Sequence, residues 1–197
     1  MRRALWVLLA AVPGLALAAV GTWVHPVGLT PETARAWWQL HVWLVPVFPL
    51  ISVVLWAVLR GERGVLAGAA RVAAYGFGCF YTGLDVLAGI GAGRVYELQG
   101  DGPAVGALFE IAGWLGDTGV WCLLAAAVLT GAALARRVRI RAVPGAVVLA
   151  AACFPFRTGH IFHPVGVLAM LGVAAGCALL AAAAPRRVEL SPPAART

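Results

Sequence analysis

Four histidines, four cysteines, eight acidic residues and fifteen arginines are the groups in this 197-residue chain able to hold a metal ion or move a proton. His41, Asp85, His160 and His163 come from separated stretches, and each lies in or beside an apolar run. Three imidazoles and a carboxylate suit zinc or copper. One imidazole from the His41 region and one from the His160 region would also suit the axial positions of a haem. Arg157 would then meet its propionates, with Gly83 and Tyr81 as further candidate contacts near Asp85. Glu110 and Asp117 are the carboxylates expected to line a proton or cation path.

Other reactive groups offer less. Cys79, Cys122, Cys153 and Cys177 are far apart, lie within apolar runs and form no CxxC pair, so they read as buried thiols. No serine, cysteine or lysine nucleophile stands beside a base in a motif, so no enzyme activity is assigned. His-Pro-Val-Gly occurs at both 25–28 and 163–166. His163-Pro164 suits the start of a helix, whose N-terminal dipole favours a neutral, ligating imidazole. His25 reads as an interface residue at the close of the first apolar run.

The elements that position these groups follow from composition. Hydrophobic residues are 62% of the chain and charged residues 12%, too little polar surface to cover a water-soluble fold. Apolar runs lie near 4–24, 37–59, 72–93, 105–135, 142–161 and 164–184, each close to the length of a membrane-crossing helix. The short alternating segments of a β-barrel are missing. The expected fold is an all-α, polytopic transmembrane bundle of about six spans. It forms one domain over 1–187, followed by a disordered tail at 188–197. No interrupted helix and no internal repeat is evident.

Arginine gives the direction. Arg2, Arg3, Arg60, Arg63, Arg71, Arg136, Arg137, Arg139, Arg141, Arg186, Arg187 and Arg196 all fall on one side of such a bundle, leaving Arg35, Arg94 and Arg157 for the other. Positive charge is retained in the cytoplasm, so both termini are expected inside. The basic groups are dispersed between apolar runs and do not form one face, which argues against nucleic acid despite the net charge of +7. Arginine without lysine, among abundant Ala, Gly, Val and Leu, points to a GC-rich bacterial genome and a multi-pass protein of the bacterial inner membrane. The stretch from Arg2 through Ala16-Leu17-Ala18 looks like a secretory signal, but its apolar part runs on to Val24 and is expected to be retained as an anchor.

This direction puts nearly all the intramembrane ionisable groups in the outer half. Such groups cost about 2.5 kcal/mol or more to insert, and Asp85 has no neutralising neighbour in sequence. Arg157 is the arginine placed to reach a carboxylate at that depth. Glycines at 76, 78, 83, 89, 91 and 93 allow either close helix approach or room for a flat ligand.

The order of His41, Asp85 and the pair His160/His163 is similar to that of the ceramidase and progestin-receptor-like membrane hydrolases. The pair here is HxxH where that group has HxxxH, Ser52 follows His41, and there are six runs instead of seven, so the chain is not placed in that family. Three readings follow: a metal or haem site, a proton- or cation-coupled transporter, and an accessory subunit whose polar groups lock helices together. The expected partners are the lipid bilayer and a second copy or other subunits of a membrane complex.

Overall fold

The computed structural model describes residues 2–185; the tail expected at 188–197, with Arg186, Arg187 and Arg196, lies outside the described residues. Among those residues the regular structure is entirely helical. The elements are α1 (Arg2–Trp23), α2 (Ala34–Leu44), α3 (Val47–Val58), α4 (Val65–Leu84), a π-helical stretch (Asp85–Gly91), α5 (Ala92–Gln99), α6 (Pro103–Val138), a 3-10 turn (Arg139–Ala142), α7 (Val143–Gly159) and α8 (Val165–Ala183).

Proline places several boundaries. Pro103 opens α6 and Pro144 lies in the first turn of α7, positions where a missing N–H leaves no helical bond unmade. α2 and α3 form one rod broken at Val45-Pro46, where Pro46 cannot donate to the turn before it. The third rod is interrupted too: α4 widens into the π-helical stretch at Asp85 before α5 resumes. This corrects the expectation that no helix is interrupted. The glycines at 83, 89 and 91 lower α-helical preference there, and π turns recur at functional sites.

Neighbouring rods run antiparallel. Ser52 Oγ donates to the Ala74 carbonyl at 2.5 Å and Trp56 Nε1 to that of Arg71 at 2.9 Å, joining α3 to α4. Gly76 faces Cys122 and Gly83 faces Leu115 between α4 and α6. Gly131 faces Ala146 between α6 and α7, Gly145 faces Leu180 between α7 and α8, and Gly14 of α1 faces Ala174 of α8. The core between them includes Leu17, Phe48, Leu55, Phe77, Leu123, Leu149 and Met170, all fully buried.

The packing segregates charge between the two ends of the bundle. At one end Arg3 reaches the Ala182 carbonyl, Arg71 donates to the carbonyls of Leu59 and Glu62 at 2.7 and 3.0 Å, and Arg137 pairs with Glu62 at 3.4 Å. At the other, Arg35 and Arg94 converge on Glu97, whose Oε2 also accepts from Trp38 Nε1 at 2.7 Å. That indole hydrogen bond first, and then Arg94, hold the Glu97 carboxyl below its ordinary pKa.

Four helical stretches are long and apolar enough to cross a membrane: Arg3–Trp23, Ala34–Val58, Pro103–Gly159 and Val165–Ala183. Pro103–Gly159 contains the two antiparallel rods α6 and α7. The rod from α4 to α5, with Asp85, Arg94 and Glu97 among its glycines, is not one of the four. These stretches point to a membrane protein.

Candidate metal centre

The centre lies at the Glu97 end of the bundle, where a loop, a helix face and a helix terminus meet. His25 follows α1. Its Nδ1 lies 2.8 Å from the Pro26 carbonyl oxygen, which can only accept, so Nδ1 carries the hydrogen and Nε2 a lone pair. His41 lies on α2, and its Nδ1 likewise donates to the Trp37 carbonyl one turn back at 2.7 Å, leaving its Nε2 bare. These two bare nitrogens face each other at 3.4 Å. Burial holds the His25 pKa below the ordinary imidazole value, against the opposing effect of its Pro26 hydrogen bond, and so favours the neutral, ligating form.

His160 joins them from the end of α7. It takes a left-handed φ of 45°, rare for a residue with a side chain and the kind of strain found at functional sites. Its Nδ1 lies 2.6 Å from the Tyr81 hydroxyl of α4, which fixes the ring. One ring nitrogen from each of His25, His41 and His160 lies within 4.8 Å of the others.

Asp85 stands beside this group, at the start of the π-helical stretch. It is 0% exposed, and its Oδ1 is 3.8 Å from His41 Nε2, beyond hydrogen-bonding length. Neither of its oxygens has a hydrogen-bond partner among the described residues, and neither does Thr82 Oγ1. A buried, unpaired carboxylate is among the costliest groups a fold can carry, so this one needs a counter-charge or a proton.

Two close approaches make the arrangement possible. The His41 ring lies directly against the Gly89 backbone, in space that any β-carbon at position 89 would occupy. Gly21 of α1 lies against the Ile161 carbonyl in the same way, bringing the chain that carries His25 alongside the segment that carries His160. Toward the middle of the bundle, Tyr81 packs on Phe48 at 4.7 Å and Phe156 at 4.6 Å between ring centroids, with Phe77 at 5.4 Å. This aromatic layer closes the bundle beneath the centre.

The remaining candidates lie elsewhere. His163, expected as a ligand, is exposed and is not one of the three converging imidazoles; its place is taken by His25 of the other His-Pro-Val-Gly segment. Arg157 pairs with Asp117 at 2.7 Å, with its guanidinium 5.8 Å from the Trp121 ring centroid, and so leaves Asp85 unneutralised. Glu110 is exposed on α6. Gly83, a candidate cofactor contact, is filled by Leu115, and Gly119 and Gly116 similarly receive Tyr81 and Leu84. At these positions the glycines serve helix approach.

No protein-family model matches the chain, and neither a characterised protein nor a solved structure is significantly similar to it.

Proposed function

We propose that this chain is a multi-pass protein of the bacterial inner membrane that holds one zinc or copper ion in a centre formed by His25, His41 and His160, with Asp85 as the accompanying carboxylate. In this reading the chain crosses the bilayer about six times as a single domain, both termini are cytoplasmic, and the centre lies at the extracytoplasmic end. The separation of Arg3, Arg71 and Arg137 from the histidine end supports that direction.

The observation that carries the proposal is the facing pair of bare Nε2 atoms at 3.4 Å. Two lone pairs repel unless something positive lies between them. A shared proton would draw the nitrogens to an ordinary hydrogen-bond length, about 2.7 to 3.2 Å. Two imidazole nitrogens about 2.05 Å from a tetrahedral ion stand about 3.3 Å apart, close to the distance found. The backbone carbonyls on both Nδ1 atoms are the outer partners that orient metal-binding histidines, and Tyr81 plays that part for His160. The Asp85 charge offsets that of the ion in a site with little access to water. Three imidazoles converging within 4.8 Å leave no width for a macrocycle, which favours an ion over a haem.

A second reading, a proton- or cation-coupled carrier, draws on the π-helical stretch and on the unpartnered oxygens of Asp85 and Thr82. The layer of Phe48, Phe77, Tyr81 and Phe156 stands against it, since a path inward from the centre would have to open these rings.

Elemental analysis of protein purified without chelator tests the proposal. One zinc or copper per chain is expected, falling by at least tenfold in His41→Ala with the fold retained. A wild-type protein that stays metal-free after reconstitution with both ions would refute it and leave a cluster that only locks helices. Reporter fusions after Arg63 and Arg139 should behave as cytoplasmic, and one at Gly100 as external.

A further inference from the structure

A second site of different chemistry lies at the opposite end of the bundle. Val53, Trp56, Ala57, Arg60, Gly61 and Arg71 line a groove of about 360 Å³ between the end of α3 and the first turns of α4. Its wall along α3 is apolar and faces outward: Val53 and Trp56 are exposed, and the Trp56 indole is held across to α4 by its bond to the Arg71 carbonyl. Its end is basic. Arg71 uses one terminal nitrogen on the carbonyls of Leu59 and Glu62, just beyond the end of α3. The other guanidinium hydrogens of Arg71, and all those of Arg60, have no protein partner among the described residues. No acid lines the groove, and the nearby Glu62 carboxylate is buried and turned to Arg137.

We propose that this groove binds one anionic phospholipid, with an acyl chain along Val53 and Trp56 and the phosphate between Arg60 and Arg71. The order of surfaces matches such a molecule from tail to headgroup: exposed aliphatic and aromatic side chains run directly into a forked pair of cations. Guanidinium groups take phosphate oxygens two at a time, and basic pockets between membrane helices are where anionic headgroups lodge. Arg71 is anchored by the Leu59 and Glu62 carbonyls and Trp56 by the Arg71 carbonyl, so the cation and the apolar wall hold a fixed spacing before the lipid arrives. The site stands independently of the metal centre.

Native mass spectrometry of the full chain in detergent, titrated with phosphatidylglycerol or phosphatidylcholine, tests the assignment. One phosphatidylglycerol should bind in preference to phosphatidylcholine, and Arg60→Gln should weaken that binding about fivefold, as expected for one arginine at a headgroup. Arg60 is exposed and makes no side-chain hydrogen bond or ion pair among the described residues, so this variant should fold. Arg71→Gln should weaken it further, with circular dichroism confirming the helices. Equal binding of the two lipids, or an unchanged preference in Arg60→Gln, would overturn the proposal. So would displacement of the lipid by millimolar glycerol phosphate, which would show a headgroup-only anion site.

Discussion

His25 Nε2 and His41 Nε2 face each other at 3.4 Å while both Nδ1 atoms donate to main-chain carbonyls, so two lone pairs meet in a nearly closed site. His25 is 9% exposed and His41 2%. Water has little access to separate them, and in the proposed reading a metal ion lies between them.

The two His-Pro-Val-Gly segments should therefore behave differently. His25→Ala should lower metal affinity by at least tenfold, as His41→Ala should, while His163→Ala should leave it within twofold of wild type. Isothermal titration of the stripped protein with zinc, or with copper, measures both. Equal losses in the two variants would show that the loops are not distinguished as the structure has them.

Asp85→Asn should have opposite effects on the empty and the loaded protein. Without metal, the wild type must either leave this buried carboxyl charged with no partner among the described residues or take up a proton at neutral pH, and both cost stability, so the neutral amide should raise the melting temperature. With metal, the lost charge should reduce affinity about 10- to 100-fold and the melting gain on adding ion should shrink. A fall in the melting temperature of the stripped protein would mean that the carboxylate has a stabilising partner.

Tyr81 and Gly89 shape the centre without lying in it. Tyr81→Phe removes the hydroxyl that fixes the His160 ring and should weaken metal binding about 10-fold or more, since outer partners of ligating histidines act on that scale. Gly89→Ala places a β-carbon where the His41 ring lies; overpacking of this kind costs about 1–3 kcal/mol and here should also displace a ligand. Thermal melts with and without metal separate the two effects: Tyr81→Phe should alter mainly the metal-dependent gain, and Gly89→Ala both.

Arg157 and Asp117 each keep 44% of the side chain exposed on the outside of the bundle, where the surroundings in a membrane are apolar or interfacial. Arg157→Ala should leave a lone carboxylate there and lower thermostability in lipid, and adding Asp117→Asn should restore most of the loss. A single variant as stable as the parent would show that the pair adds nothing to stability.

The all-helical, membrane-crossing character was legible because hydropathy alone marks helices of that length, whereas the break that Pro46 makes within the apolar run at 37–59 was not read from the sequence. The convergence of His41, His160 and Asp85 was legible in outline, since residues assigned to one depth on different helices can meet. The choice between His25 and His163 was not. Two identical tetrapeptides carry the same local preferences, and the one that turns inward is decided by a long-range contact, the seating of Gly21 on Ile161. The left-handed turn at His160 and the π-helical stretch at Asp85 escaped for a similar reason, because side chains packed from other helices hold both in place. The partner of Arg157 was only narrowed, as charge and depth allow Asp85 and Asp117 alike.

X-ray absorption at the metal edge tests the three-imidazole centre most directly. The protein loaded with zinc or copper should show a first shell of nitrogen and oxygen near 2.0 Å, with the outer-ring scattering of three imidazoles and none from sulfur. In His25→Ala that scattering should fall to two. A sulfur shell, or a spectrum unchanged by loss of His25, would contradict the centre described here.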